Sequence, residues 1–157
     1  MTENKISMIE QRVIEARALV PVIKAFGEKI GMDAAKALVQ ATHEKSSQNY
    51  GEACAGERGS NTLADLAEIL SQWSRGGALE EEILEQNETT YAFHVTRCLY
   101  AERYRELGAE EFGYCLSCCR DEPFVRGFNS NIRFERNQTI MEGAPHCDFR
   151  FTLASGK

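Results

Sequence analysis

No stretch of this sequence is apolar for long enough to cross a bilayer. Its longest apolar run, residues 16–23, is broken by Arg17 and Pro21, against the roughly 20 residues that a spanning helix needs. The opening MTENKISMIEQ has no apolar segment of the signal-peptide kind. Runs of Lys and Arg are missing as well, and the net charge is −6, so a phosphate backbone would find no basic surface here. The expectation is a cytoplasmic protein with neither a nucleic-acid nor a membrane partner. A second Cys-x-x-Cys is also lacking. Cys115-x-x-Cys118-Cys119 stands alone, where a structural zinc would want a matching pair. The glycines at 51, 56 and 59 are not followed by the Lys-Ser/Thr of a phosphate loop. No metal and no cofactor are expected.

What is there is an ordinary globular composition. The chain has 157 residues, 43% of them hydrophobic and 27% charged, enough for one domain that buries roughly 70% of its unfolded surface. Six cysteines, Cys54, Cys98, Cys115, Cys118, Cys119 and Cys147, without an export signal, are expected to be reduced. Cys54 and Cys115 read as small buried hydrophobes.

The most informative stretch is residues 132–153. Ile132, Phe134 and Ile140 share one parity, and Cys147, Phe149, Phe151 and Leu153 do the same beyond Glu142-Gly143-Ala144-Pro145. Alternation at period two predicts two half-buried antiparallel strands joined by a turn at Gly143 and Pro145. Arg136 lies within this stretch, and His146, Cys147 and Asp148 open its last strand. Titratable groups beside an apolar strand face mark a candidate site.

The first half reads as helical. Ile6, Ile9, Val13, Leu19, Val20, Ile23 and Phe26 fall near helical spacing. Pro21 is expected to kink or split this helix, and Gly31 to end it. Asp33 is the expected cap of a second helix to about residue 50, with His43 solvated on it. Residues 51–59 are small and polar, and Gly56-Glu57-Arg58-Gly59 reads as a loop. Ser60 or Asn61 would cap a third helix with Leu63, Leu66, Ile69, Leu70 and Trp73 on one face, stopped by Gly76-Gly77.

After residue 77 the pattern changes. Residues 79–88 and 91–96 predict a β-hairpin around residues 87–90, the second arm alternating Tyr91, Phe93 and Val95 with Ala92, His94 and Thr96. The Glu80-Glu81-Glu82 run reads as a solvated face. Residues 97–107 predict a helix closed by Gly108, and residues 110–119 a short one ending before Asp121-Glu122-Pro123. Helices, hairpin, helices and hairpin together predict an α+β fold. It is a single domain with a helical part (1–77) and a sheet-containing part (78–157), and its antiparallel sheet of about four strands is covered by helices on one face.

Cys98 falls where a strand hands over to a helix, a setting expected to favour thiolate. Cys119 precedes Asp121 by two residues. His146 and Cys147, being neighbours on a strand, point to opposite faces and form no dyad. The set Phe93-His94-Val95-Thr96-Arg97-Cys98-Leu99-Tyr100-Ala101-Glu102, Gly108, Cys119-x-Asp121, Phe134-x-Arg136-x-x-Thr139 and Gly143-x-x-x-Cys147-Asp148-Phe149 resembles the L-2-amino-thiazoline-4-carboxylic acid hydrolase family. The likeness spans about residues 91–151, the helical half fitting in outline. It implies a small bacterial hydrolase that opens a cyclic thio-amidine on a route to L-cysteine. Within CLSCCRD, Cys119 is assigned to the family position because it keeps the spacing to Asp121.

Opening such a ring requires attack at the carbon between nitrogen and sulfur, then loss of thiolate. The candidate catalytic residues are Cys119, Asp121, Cys98 and Cys147. Asp121 would act as general base or amidine partner, and a thiol as nucleophile. Arg136, Asp148 and His146 are the candidate substrate-binding residues, with Arg136 a bidentate clamp for a carboxylate. The partner expected is a small-molecule substrate, and a homodimer is compatible with Trp73 on an apolar helix face. Two other classes stay open. One is a ligand-binding sensor of the same fold without turnover. The other is a thiol-based metal or redox site built from Cys98, Cys118, Cys119 and Cys147.

Overall fold

A computed structural model describes residues 6–154. Helix α1 (Met8–Ile30) starts from Ser7, whose hydroxyl accepts from the Glu10 N–H while Glu10 accepts from the Ser7 N–H, a reciprocal cap. Ile6 lies outside the helix. Of the kink or split expected at Pro21, the split does not occur: α1 runs on through it. Burial of Ala16, Val20 and Ile23 in the core holds the helix across the donor that proline removes. Gly31, at φ 90°, separates α1 from helix α2 (Met32–Arg58). Asp33 is not the cap but sits in the first turn of α2, where the helix dipole favours it.

The loop expected at Gly56-Glu57-Arg58-Gly59 is instead the last turn of α2 with Gly59 as its cap. Gly51 serves packing. A Cβ on Gly51 would stand 2.2 Å from the Phe124 carbonyl, and one on Gly127 would stand 2.1 Å from the Gln48 carbonyl. Two helix backbones therefore touch where both lack a side chain. Gly51→Ala should destabilise the protein by about 3 kcal/mol, because backbone cannot yield as a flexible side chain can. A urea denaturation curve with a lower midpoint and unchanged slope would show it.

Helix α3 (Leu63–Leu70) is capped by Thr62 rather than by Ser60 or Asn61, in a reciprocal pair with Asp65. It presents Leu63, Leu66 and Leu70 to the core. A 3-10 segment (Ser71–Gly77) leads into strands β1 (Leu79–Gln86) and β2 (Thr90–Cys98), followed at once by helix α4 (Leu99–Glu106). The predicted helix at 110–119 is three short pieces: a 3-10 turn (Glu110–Phe112), helix α5 (Gly113–Leu116) and a second 3-10 turn (Cys118–Arg120). Helix α6 (Asp121–Phe128) follows, where the sequence reading placed a break. Pro123 occupies its first turn, where a missing N–H has no partner to lose.

Strands β3 (Ile132–Glu135) and β4 (Cys147–Leu153) complete a four-stranded antiparallel sheet of order β1-β2-β4-β3. Ile140 is not part of β3; it opens a 3-10 turn (Ile140–Glu142) that ends at Gly143, φ 97°. The registers Phe93 to Phe149, Tyr91 to Phe151 and Phe134 to Phe151 put these aromatics on one face. Phe93 and Phe149 stack at 5.0 Å. This face joins Leu66, Tyr104, Phe112, Phe124 and Phe128 in one core. The fold is α+β, as the element order predicted.

Candidate functional site

Where the helical layer meets the sheet, a cavity of about 90 Å³ remains among α1, α2, the β2–α4 junction, the Cys118–Asp121 segment and β4. Of the residues singled out from sequence, Cys98, Asp121, Arg136 and Cys147 line it. Cys98 is there because β2 ends and α4 begins at its own backbone: it caps α4, its sulfur accepting from the Ala101 N–H at 3.4 Å. Cys147 opens β4 opposite Val95 and accepts from the Ile140 N–H at 3.2 Å. Asp121 is the first residue of α6. Arg136, just past β3, donates from Nη1 to Asp121 and from Nη2 to the Cys118 carbonyl at 3.1 Å. Its side chain is 6% exposed and that of Asp121 17%. The guanidinium also lies 5.3–6.0 Å from the ring centres of Phe149, Phe134 and Tyr114, which flank a delocalised cation favourably.

Cys119 does not line the cavity; Cys118 does. The cause is local geometry. A 3-10 turn has three residues per turn, so side chains three apart eclipse, and Cys118 shares the face of Asp121 while Cys119 turns away. Cys119 is buried and donates to the Cys115 carbonyl at 3.2 Å. Spacing by three rather than two was the signal in CLSCCRD for the sulfur that lines the cavity.

Asp148 and His146 lie on the other face of the sheet. Asp148 faces His94 across the β2–β4 register and accepts from the Asn137 and Gln138 N–H groups at 2.9 Å each, so it braces the strand-to-turn passage. The His146 ring packs on that of His94 at 4.1 Å. Neither reaches the cavity. His43 is not solvated: it is half-buried, 3.0 Å from the Cys115 carbonyl through Nδ1, and burial pushes its pKa down.

The electrostatics oppose a resting thiolate. Burial pushes Cys98 up to about 11, over the opposing pull of the Ala101 N–H, and nearby Cys147 adds to the rise. Burial likewise holds Cys118 and Cys147 above the ordinary thiol range and Cys119 up to about 12. Desolvation thus outweighs the helix-start effect expected for Cys98. Burial also raises Asp121, against the opposing Arg136. For Arg136 burial works downward, but Asp121 and the groups around it more than offset that and keep the guanidinium charged.

Among the described residues no three His, Cys, Asp or Glu side chains are grouped to hold a metal ion, and no helix is long and apolar enough to cross a membrane. The arrangement is a small, partly open space with one carboxylate, the Arg136 cation held against it, two further arginines, Arg12 and Arg120, in its wall, and three protonated thiols as soft walls.

Two solved structures share the fold. One is the phenol-responsive sensory domain of the transcription activator PoxR with phenol, at TM-score 0.55 and 15% identity, covering 88% of this chain and 74% of that one. The other is a trafficking protein particle complex subunit 3 from Naegleria fowleri covalently bound to palmitic acid, at TM-score 0.52 and 10% identity, covering 92% and 96%. No curated protein matches the chain by sequence. The sequence profile of one family does, over residues 11–151, and by that match the chain belongs to the L-2-amino-thiazoline-4-carboxylic acid hydrolase family.

Proposed function

We propose that the protein is a hydrolase that opens a small cyclic thio-amidine of the L-2-amino-thiazoline-4-carboxylate type, with Asp121 as general base. The observation that carries this reading is a part-buried carboxylate, raised by burial, at a cavity of small-molecule size. A base poised above the usual carboxylate range is matched to taking a proton from water. In the reaction, water oxygen adds to the ring carbon between nitrogen and sulfur as its proton passes to Asp121. The C–S bond then breaks as the carbonyl forms, the sulfur takes the proton held by Asp121, the hydroxyl proton of the adduct passes to the ring nitrogen, and the carbon keeps both nitrogens as a ureido group. Arg136 orients Asp121 and keeps it ionised between turnovers. Its fork is engaged from within the protein, which makes it a partner of the base rather than a free clamp. The thiols of Cys98, Cys118 and Cys147 stay protonated and supply polarizable walls for the departing sulfur.

A second reading, a binding module without turnover, is favoured by the fold shared with a phenol-responsive sensory domain. The size of the space helps decide among ligands. At about 90 Å³ it has room for several waters' worth of ligand, which suits a small ring. Incubation with L-2-amino-thiazoline-4-carboxylate separates the readings. Hydrolysis releases one titratable thiol per molecule consumed, counted over a protein blank. Saturable binding with no consumption contradicts the enzyme and selects the sensor.

A further inference from the structure

The cavity wall formed by α1 carries charge that the proposed chemistry leaves unused. Arg12 on α1 and Arg120 in the turn before α6 both line the same space as Asp121. They share one carboxylate, Glu15, which lies 3.0 Å from Arg12 Nη1 and 2.9 Å from Arg120 Nη2. The side chains of the two arginines are only 12% and 16% exposed. Two guanidiniums against one carboxylate leave a net positive charge, and Asp121 does not neutralise it because Arg136 already holds that carboxylate. His43 adds no cation, since burial and Arg120 push its pKa down.

The donors are not used up. Arg12 employs Nη1 alone, and Arg120 employs Nη2 for Glu15 and Nε for the Leu116 carbonyl at 2.8 Å. Among the described residues, Arg12 Nε and Nη2 and Arg120 Nη1 donate to nothing. Tyr104 lies in the field of the same three charges, and its buried hydroxyl also has no partner. Part-buried cations with spare planar donors are an incomplete ion cluster, and the group that completes it is a planar anion.

We propose that Arg12 and Arg120 form an anion seat that takes the carboxylate of a small ring and turns its reactive carbon toward Asp121. The seat rests on the proposed function for what happens after binding, but not for the binding itself. Arg120 and Asp121 are adjacent in the chain, so seat and base are separated by no more than a small molecule's length. The substrate class narrows to small anionic rings, and neutral rings of the same shape are poor ligands. Glu15 sets the strength, because it competes with the incoming carboxylate for both arginines.

The test uses two rigid probes with nothing to hydrolyse, 2-furoate and its neutral isostere 2-furamide. Trp73, the single tryptophan of the chain, lines the cavity, so its fluorescence reports occupancy, with calorimetry as the second readout. The wild-type chain binds furoate at least tenfold more tightly than furamide. Arg12→Gln and Arg120→Gln each bring that ratio to about one, and Glu15→Gln raises it. A merely structural role for the cluster would give all three variants the same sign, so the opposite response of Glu15→Gln is the signature of the seat. Equal affinities on the wild type, including no binding of either probe, overturn the proposal. So does a ratio that survives in both arginine variants. Since furoate does not react, absence of turnover on the thiazoline speaks only against the hydrolase.

Discussion

Replacing Asp121 by Asn abolishes turnover while leaving the ligand bound. Asn keeps the shape and still accepts from Arg136 but takes no proton from water, so kcat falls by about 10²–10⁴-fold, the usual contribution of a general base. The Kd read from Trp73 fluorescence moves by less than about threefold, because the carboxylate seat and the cavity walls are untouched. A loss confined to the chemical step is the mark of an interaction made in the transition state. A variant with unchanged kcat would remove Asp121 from the mechanism. A variant with weakened binding and normal kcat would make it a ligand contact only.

Arg136→Met is expected to cost more in stability than any surface change. Arg136 and Asp121 are 6% and 17% exposed, and removing one member of such a pair leaves the other charge without a partner, at about 3 kcal/mol. The pH dependence carries the sign. Burial already holds the folded-state pKa of Asp121 above its ordinary value of 3.8, and without the guanidinium it rises further. A carboxylate with a raised folded pKa contributes stability that is full below its unfolded pKa and is lost as pH climbs through the folded one. The variant is therefore closest to wild type at pH values near or below the ordinary 3.8 and falls progressively behind it as pH rises. Denaturant midpoints measured across a range of pH check the trend; a deficit that is constant with pH would show that the pair is not what Met removes. Turnover falls as well, because a protonated Asp121 is no base.

The parts of this molecule that were legible in sequence are those where one force dominates. Period-two alternation placed Phe93, Phe149 and Phe151 on a common face because the core leaves that face no alternative. Helical spacing placed Leu63, Leu66 and Leu70 for the same reason. The errors fall where a local signal serves two physical ends. Gly51 stands just past the expected end of its helix near residue 50, yet here it is a helix residue that lets another backbone approach. Pro123 reads as a terminator, yet within a first turn it begins a helix. Pro21 removes a hydrogen bond, and packing holds the helix regardless. The site shows the same division. Cys98, Asp121, Arg136 and Cys147 were found as residue types in an order, whereas the choice of Cys118 over Cys119 depends on a 3-10 turn that no propensity announced. Arg12 escaped notice because it stands in no motif, and Arg120 because it is the unread middle residue of Cys119-x-Asp121. Only the packing of α1 against the Cys118–Arg120 turn unites them at Glu15.

The most direct test of the account is the pH profile of kcat/KM for the wild-type chain on L-2-amino-thiazoline-4-carboxylate. With Asp121 as base, the rate rises along an acid limb whose midpoint lies above the roughly 3.9 of a free aspartate, in the direction burial moves that carboxyl, and then stays level through neutral pH. Cys98 ionises only near 11 and Cys118 lies well above the ordinary thiol range, so no further rise belongs to the mechanism below that region. A rate that instead climbs steadily toward pH 11, tracking thiolate, would contradict the account and make a cavity cysteine the nucleophile.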